Sequence, residues 1–294
     1  MLIDTHAHLN FNAFKDDTDE VIRRSLNEGI WMINVGSNYE TSKKGVEIAA
    51  KTPLGVFAAV GLHPINLDTG LVKVKYDPEE GSHLEKEFDY EKYKNLALQS
   101  LGEGGKVVAI GEIGLDYYWK PKTRKKKEIF NKKQKELLVQ QLELVKELDL
   151  PVIFHCRMAH DDLIDFLIKN PEIRPKKAVA HGFVGNVKQL KKYLDFGFYI
   201  GFNGIIFKKI EGINFEDLIK NTPLERILIE TDCPYLLPPP AEAAASAGLK
   251  IDRNEPLFVK YIAQEVARIK NLSFEKVAEI TTKNANGLFK LTNI

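Results

Sequence analysis

Cysteine is scarce: Cys156 and Cys233 are the 2 cysteines of 294 residues, and they form no spacing pattern. A disulfide framework is excluded, and both read as reduced thiols in a reducing compartment. Charge of one sign is also missing. The chain carries 42 Lys and Arg against 41 Asp and Glu, a net charge of +1. No global field draws it toward nucleic acid, so any such binding must come from a local patch. No apolar run approaches the roughly 20 residues of a membrane helix. Asp4, His6 and His8 break up the start of the chain, which therefore lacks the apolar core of a signal peptide. These absences predict a cytoplasmic protein with no membrane partner and no evident obligate protein partner. A glycine-rich dinucleotide loop after the first strand is absent as well, which weighs against an open doubly wound sheet.

What is present is a repeated alternation of short apolar runs and longer amphipathic stretches, in a chain with 44% hydrophobic residues. Strands are predicted over residues 2–8, 31–35, 55–60, 107–112, 151–155, 178–181, 198–201 and 227–231. Helices are predicted over 16–28, 41–51, near 90–101, after the basic run 120–135, and over 255–269 and 273–288. Eight strands separated mostly by helices predict an α/β fold, a closed (β/α)8 TIM barrel forming one domain over residues 1–294. Residues 66–106 exceed one crossover helix and hold too few apolar residues for a core of their own. They read as an insertion between strands 3 and 4. The Ala-rich stretch 241–248 reads as a surface loop.

The strand ends carry the chemistry. His6 and His8 stand two apart on one strand, so both face the same side. The fourth strand ends in Glu112, the fifth in His155, the sixth in His181 and the eighth in Asp232. Apolar strands rarely finish in such groups without a partner, because burying them is costly. In a barrel these ends share one face, the face that holds active sites. Six ligands are too many for one tetrahedral ion with an open position. Two divalent ions sharing a carboxylate use them all. Zn, Mg and Mn all accept this donor set.

Taken together, Asp4-Thr5-His6-Ala7-His8-Leu9, Gly61-Leu62-His63-Pro64, Gly111-Glu112-Ile113-Gly114-Leu115-Asp116-Tyr117, His155-Cys156-Arg157, His181-Gly182-Phe183, Glu230-Thr231-Asp232-Cys233-Pro234-Tyr235 and Arg253-Asn254-Glu255-Pro256 resemble the TatD family of metal-dependent deoxyribonucleases. The resemblance implies a metal-dependent hydrolase of phosphodiester bonds in DNA on a (β/α)8 barrel. It implies that His6, His8, Glu112, His155, His181 and Asp232 bind the metals, with Glu112 bridging. Exonucleolytic trimming of single strands is the expected action.

The mechanism expected from charge is attack by a metal-activated hydroxide, with Asp232 as the base that takes the water's proton. His6 and His8 are assigned to the ion shared with Glu112 and Asp232, and His155 and His181 to the second. Arg157 is a candidate phosphate clamp, because a guanidinium fork matches phosphate oxygens; a structural ion pair is the alternative. His63 either contacts substrate or orders a ligand, or is a plain turn histidine before Pro64. Asn254 and Glu230 are weaker candidates for orienting ligands, and Asp4 for fixing the end of its strand. Tyr117, Tyr118, Trp119 and Tyr235 can stack bases at the rim or simply pack. The basic run from Lys120 to Lys135 is either a groove for the DNA backbone or a solvated helix face. Cys156 and Cys233 are expected to point toward the outer helices. A competing function on the same metal site is an amidohydrolase or aminoacyl-tRNA deacylase acting on a C–N or ester bond. A nucleic-acid-binding protein without catalysis is a third.

Overall fold

The computed structural model describes residues 1–81, 84–99, 105–239 and 252–291. Its strands are β1 (Leu2–Ala7), β2 (Ile30–Val35), β3 (Val56–Val60), β4 (Val107–Asp116), β5 (Val152–Arg157), β6 (Ala178–Ala180), β7 (Tyr199–Phe202) and β8 (Ile227–Ile229). They form one sheet in sequence order, and every neighbouring pair is parallel. The chain beyond β8 then returns to β1. Ala7 pairs with Cys233, His8 N–H donates to the Cys233 carbonyl at 3.0 Å, and Asp232 N–H to the His6 carbonyl at 2.8 Å. That seam closes the (β/α)8 barrel.

The strands are apolar on both faces because both are covered, by side chains inside the barrel and by helices outside. All six residues of β2 are buried. The described helices are α1 (Thr18–Asn27), α2 (Tyr39–Lys51), α3 (Tyr90–Leu98), α4 (Arg124–Leu148), α5 (His160–Lys169), α6 (Val187–Asp195), α7 (Phe215–Asn221), α8 (Val259–Lys270) and α9 (Phe274–Phe289). Their ends follow local chemistry. Gly29, at φ +67°, ends α1 in a backbone region that costs other residues strain. Asn38 and Thr41 form a capping box at the start of α2, and Thr123 caps α4.

Two cores result. One packs helices against the barrel's outer surface. The other gathers Ile3, Ile33, Phe57, Ala109, Ile153, Val179 and Leu228 from successive strands, together with Leu288 and Phe289 of α9. Ile153 and Val179 lie two residues before His155 and His181, so the pleat that fills the barrel interior also turns those rings to its mouth.

Several boundaries differ from the sequence reading. β4 runs four residues past Glu112, to Asp116. β6 and β8 stop early, so His181 and Asp232 stand in the loops just beyond them. Among the described residues the insertion has no core of its own: Phe88, Tyr93, Leu96 and Ala97 join the main one. The predicted loop at 241–248 lies outside the described residues.

Candidate metal centre

Five imidazoles and three carboxylates converge at the barrel mouth. His6 Nε2 lies 3.1 Å from His8 Nε2. Asp232 Oδ1 is 3.4 Å from His8 Nε2, 3.9 Å from His6 Nε2 and 3.8 Å from His181 Nε2. Glu112 stands between two groups. Its Oε2 is 3.4 Å from His6 Nε2, while its Oε1 is 2.7 Å from His155 Nδ1, 3.6 Å from His63 Nε2 and 3.9 Å from His181 Nε2. Asp116 completes the second group, with Oδ2 2.9 Å from His155 Nε2. All six ligand residues named from the sequence are therefore brought together, and His63 joins them at the Glu112 side.

Asp116 was missed as a participant. Its signal was spacing: it follows Glu112 by four residues in one apolar run, which returns it to the same face of a strand. The supporting residues have definite partners. Glu230 is buried and accepts Nδ1–H of His181 at 2.8 Å and N–H of Gly182 at 2.9 Å. Asp4, also buried, accepts from Thr231 N–H at 2.9 Å and His6 N–H at 3.2 Å, so it ties β1 to the segment after β8. Asn254 Nδ2 donates to the carbonyls of Thr231 at 2.9 Å and Tyr235 at 2.7 Å, and so braces that segment. Asp232 itself adopts φ +59°, a conformation Asp tolerates better than most residues.

The rings are oriented by what their remote nitrogens bond. His8 Nδ1–H donates to the Val35 carbonyl at 2.8 Å. With His181 Nδ1–H committed to Glu230, Nε2 of both rings faces the cluster, the arrangement a ligating histidine needs. Burial opposes charge on these rings, but neighbouring carboxylates outweigh it. Glu112 and Asp116 raise His155 to about 9, and Glu230 and Asp232 raise His181 to about 10. Burial also opposes charge on Glu112, but His63 and His155 hold it well below the usual carboxylate range. Burial and the neighbouring His155 push His63 down to about 3, so this ring is neutral. The cluster is thus built around compensated charge. Imidazole nitrogens and carboxylates at this density fit divalent cations.

Around the mouth, Arg157 Nε donates to Asp116 Oδ2 at 2.7 Å, and its guanidinium lies 4.4 Å from the centre of the Tyr118 ring. The ion pair considered as an alternative is therefore present, yet the side chain remains 42% exposed, which leaves the fork accessible. Tyr117 donates its hydroxyl to Asp162 and Tyr235 to Asp77. Both are rim struts, whereas Tyr118 is exposed. Cys156 and Cys233 are buried free thiols that belong to the outer core.

A (β/α)8 barrel with clustered His, Asp and Glu at the C-terminal ends of its strands defines a metal-dependent hydrolase. Within that class the chain belongs to the TatD family: the family described as "TatD related DNase" matches residues 3–290. The "Uncharacterized metal-dependent hydrolase YabD" of Bacillus subtilis is 33% identical over 293 residues, which cover 99% of this chain and 100% of that protein. The "3'-5' ssDNA/RNA exonuclease TatD" of Erwinia tasmaniensis is 31% identical, covering 99% and 100%. Among solved structures, YJJV, a TatD homologue from Escherichia coli K12, superposes with a TM-score of 0.76 at 27% identity, covering 98% of each chain.

Proposed function

We propose that this protein is a metal-dependent nuclease that hydrolyses phosphodiester bonds of DNA, trimming single strands from an end. The observation that carries the reading is Glu112, whose two oxygens face two different histidine groups. That is the disposition expected of a carboxylate shared by two ions. His6, His8, Glu112 and Asp232 would hold one ion, and Glu112, His155 and His181 the other. His63 and Asp116 stand beside His155 and complete that side of the centre. Divalent ions in such a pair supply a nucleophilic water at neutral pH and neutralise charge building on the phosphoryl oxygens.

The protein's own groups divide the remaining work. Asp232 is held below the usual carboxylate range despite burial, chiefly by His181 and His8, so it is ionised and able to accept a proton. Glu230 and Val35 fix the tautomers of His181 and His8. Arg157, braced by Asp116 and Tyr118, presents a guanidinium fork to a phosphate. The exonuclease name carried by relatives of similar length supports the substrate class. Reduced, buried cysteines suit a cytoplasmic setting, and residues 1–294 act as one catalytic domain.

The deciding experiment compares turnover of a 5'-labelled single-stranded oligodeoxynucleotide with that of amide and ester substrates, with and without chelator. A shortening ladder that chelator abolishes is expected. Undiminished cleavage in chelator, or turnover confined to amides or esters, would overturn the reading.

A further inference from the structure

The loop after β4 and the first turns of α4 hold cations without counterions. Lys120, Lys122, Lys125, Lys126 and Lys127 are exposed, and among the described residues none of their ammonium groups has an ion-pair or hydrogen-bond partner. The neighbouring cations do have partners. Arg124 pairs with Glu128 at 3.0 Å, Lys132 with Glu136 at 3.5 Å and Lys135 with Asp162 at 2.8 Å, while Lys133 donates to the Thr69 carbonyl at 3.2 Å. A merely solvated helix face would interleave acids throughout, as the later turns of α4 do. Its first turn has no acidic residue. There the positive end of the helix dipole and mutual repulsion both oppose three adjacent lysines. An anionic partner removes that cost.

This patch is continuous with the metal centre. Asp116 touches His155, Arg157 bonds Asp116, and Tyr118 lies beneath the Arg157 guanidinium. The Tyr118 ring meets Trp119 edge-on at 5.5 Å, and Lys120 follows. On the other side of the mouth the insertion brings in acids. The Glu79 carbonyl accepts Ala13 N–H at 2.9 Å, Glu80 accepts from Ser37, and Asp77 accepts the Tyr235 hydroxyl at 2.7 Å.

We infer that residues 118–127, with Arg157, form a docking surface for the backbone of a single DNA strand, an assignment that rests on the nuclease reading. The lysines take successive phosphates, and the exposed Tyr118 ring offers a stacking face that an unpaired base can use and a base in a duplex cannot.

The test is the variant K125A/K126A/K127A. Removing cations from the start of a helix favours the helix, so the fold is retained. Fluorescence anisotropy with a labelled single strand, at several salt concentrations, gives affinity and salt dependence. Hydrolysis of bis(4-nitrophenyl) phosphate, too small to span the patch, reports the metal centre. Single-strand affinity should fall about tenfold at low salt and the log–log salt slope by about 2, near 0.7 per lost phosphate contact. The small diester should turn over unchanged, and K125R/K126R/K127R should bind as the wild type does. Unchanged affinity and slope would overturn the docking surface. So would tighter binding of duplex, or an equal loss of binding to a polyglutamate peptide. A wild-type protein that binds the strand through these lysines yet cleaves neither substrate would retire the nuclease reading and leave the docking surface standing.

Discussion

His181 donates its Nδ1 proton to the buried carboxylate of Glu230 at 2.8 Å. The ring thereby turns Nε2 to within 3.8 Å of Asp232 and 3.9 Å of Glu112. Such a partner fixes tautomer and orientation and raises basicity. Glu230→Ala should therefore lower metal affinity about 10- to 100-fold with the fold retained. Glu230→Gln, which keeps an acceptor, should lose less. Metal content after dialysis against graded free metal, measured by elemental analysis, checks both.

Gly201 makes room for that carboxylate. A Cβ on Gly201 would come within 2.1 Å of Glu230 Oε1. Gly201→Ala should push Glu230 off His181, destabilise the protein by about 1–3 kcal/mol, and reproduce the metal-binding loss of the Glu230 variants. Thermal unfolding beside metal analysis tests the coupling. A stable variant that loads metal normally would show that Glu230 has another place to go.

Proton release should accompany metal loading. Neighbouring carboxylates, outweighing burial, raise His155 to about 9 and His181 to about 10, so both rings are protonated at neutral pH in protein stripped of metal. Both must lose a proton to bind a cation. Apparent affinity should rise with pH below about 9, by up to about two protons per molecule. Calorimetry in buffers of different ionisation enthalpy counts those protons. The same shifts set a sign for the stripped protein. Raised pKa values contribute stability that is complete below the ordinary histidine value. It is lost as pH rises through about 9 and about 10.

Arg157 and Lys are not interchangeable at a phosphate fork. Arg157→Ala should lower kcat/KM for a phosphodiester about 10- to 100-fold, consistent with about 1.5–3 kcal/mol for a charged hydrogen bond. Arg157→Lys should recover only part, because an ammonium cannot bridge two phosphate oxygens. Steady-state kinetics on a dinucleotide separates KM from kcat. Wild-type kinetics in both variants would reduce Arg157 to its ion pair with Asp116.

Chelation gives the broadest check. Stripped protein should lose activity and regain it with Mn, Mg or Zn ions, all of which this donor set accepts. His6→Ala should not regain it, because His6 lies within 3.9 Å of His8, Glu112 and Asp232 together. Activity measured during metal titration distinguishes the two proteins.

Much of this was legible in the chain. Apolar strands that stop at His6, His8, Glu112, His155, His181 or Asp232 announce themselves, because buried ionisable groups need partners. Strand number and alternation with helices marked the barrel, since parallel strands require covered faces and crossover helices. Asp116 escaped because the fourth strand reads as 107–112, whereas β4 continues past Glu112 to Asp116. Glu230 stood out only as a weaker candidate for orienting a ligand, because its partner His181 is 49 positions away in sequence.

What the sequence determined by itself was therefore the set of groups and the end of each strand that carries them. That information is local: periodicity, apolar runs and the cost of interrupting them. Tertiary structure decided which oxygen of Glu112 faces which histidines and which lysines remain unpaired. It also set how the insertion fastens to Tyr235, 158 positions away. Those are relations between segments distant in the chain. They exist only once the strands close into a ring and the loops after them share one rim.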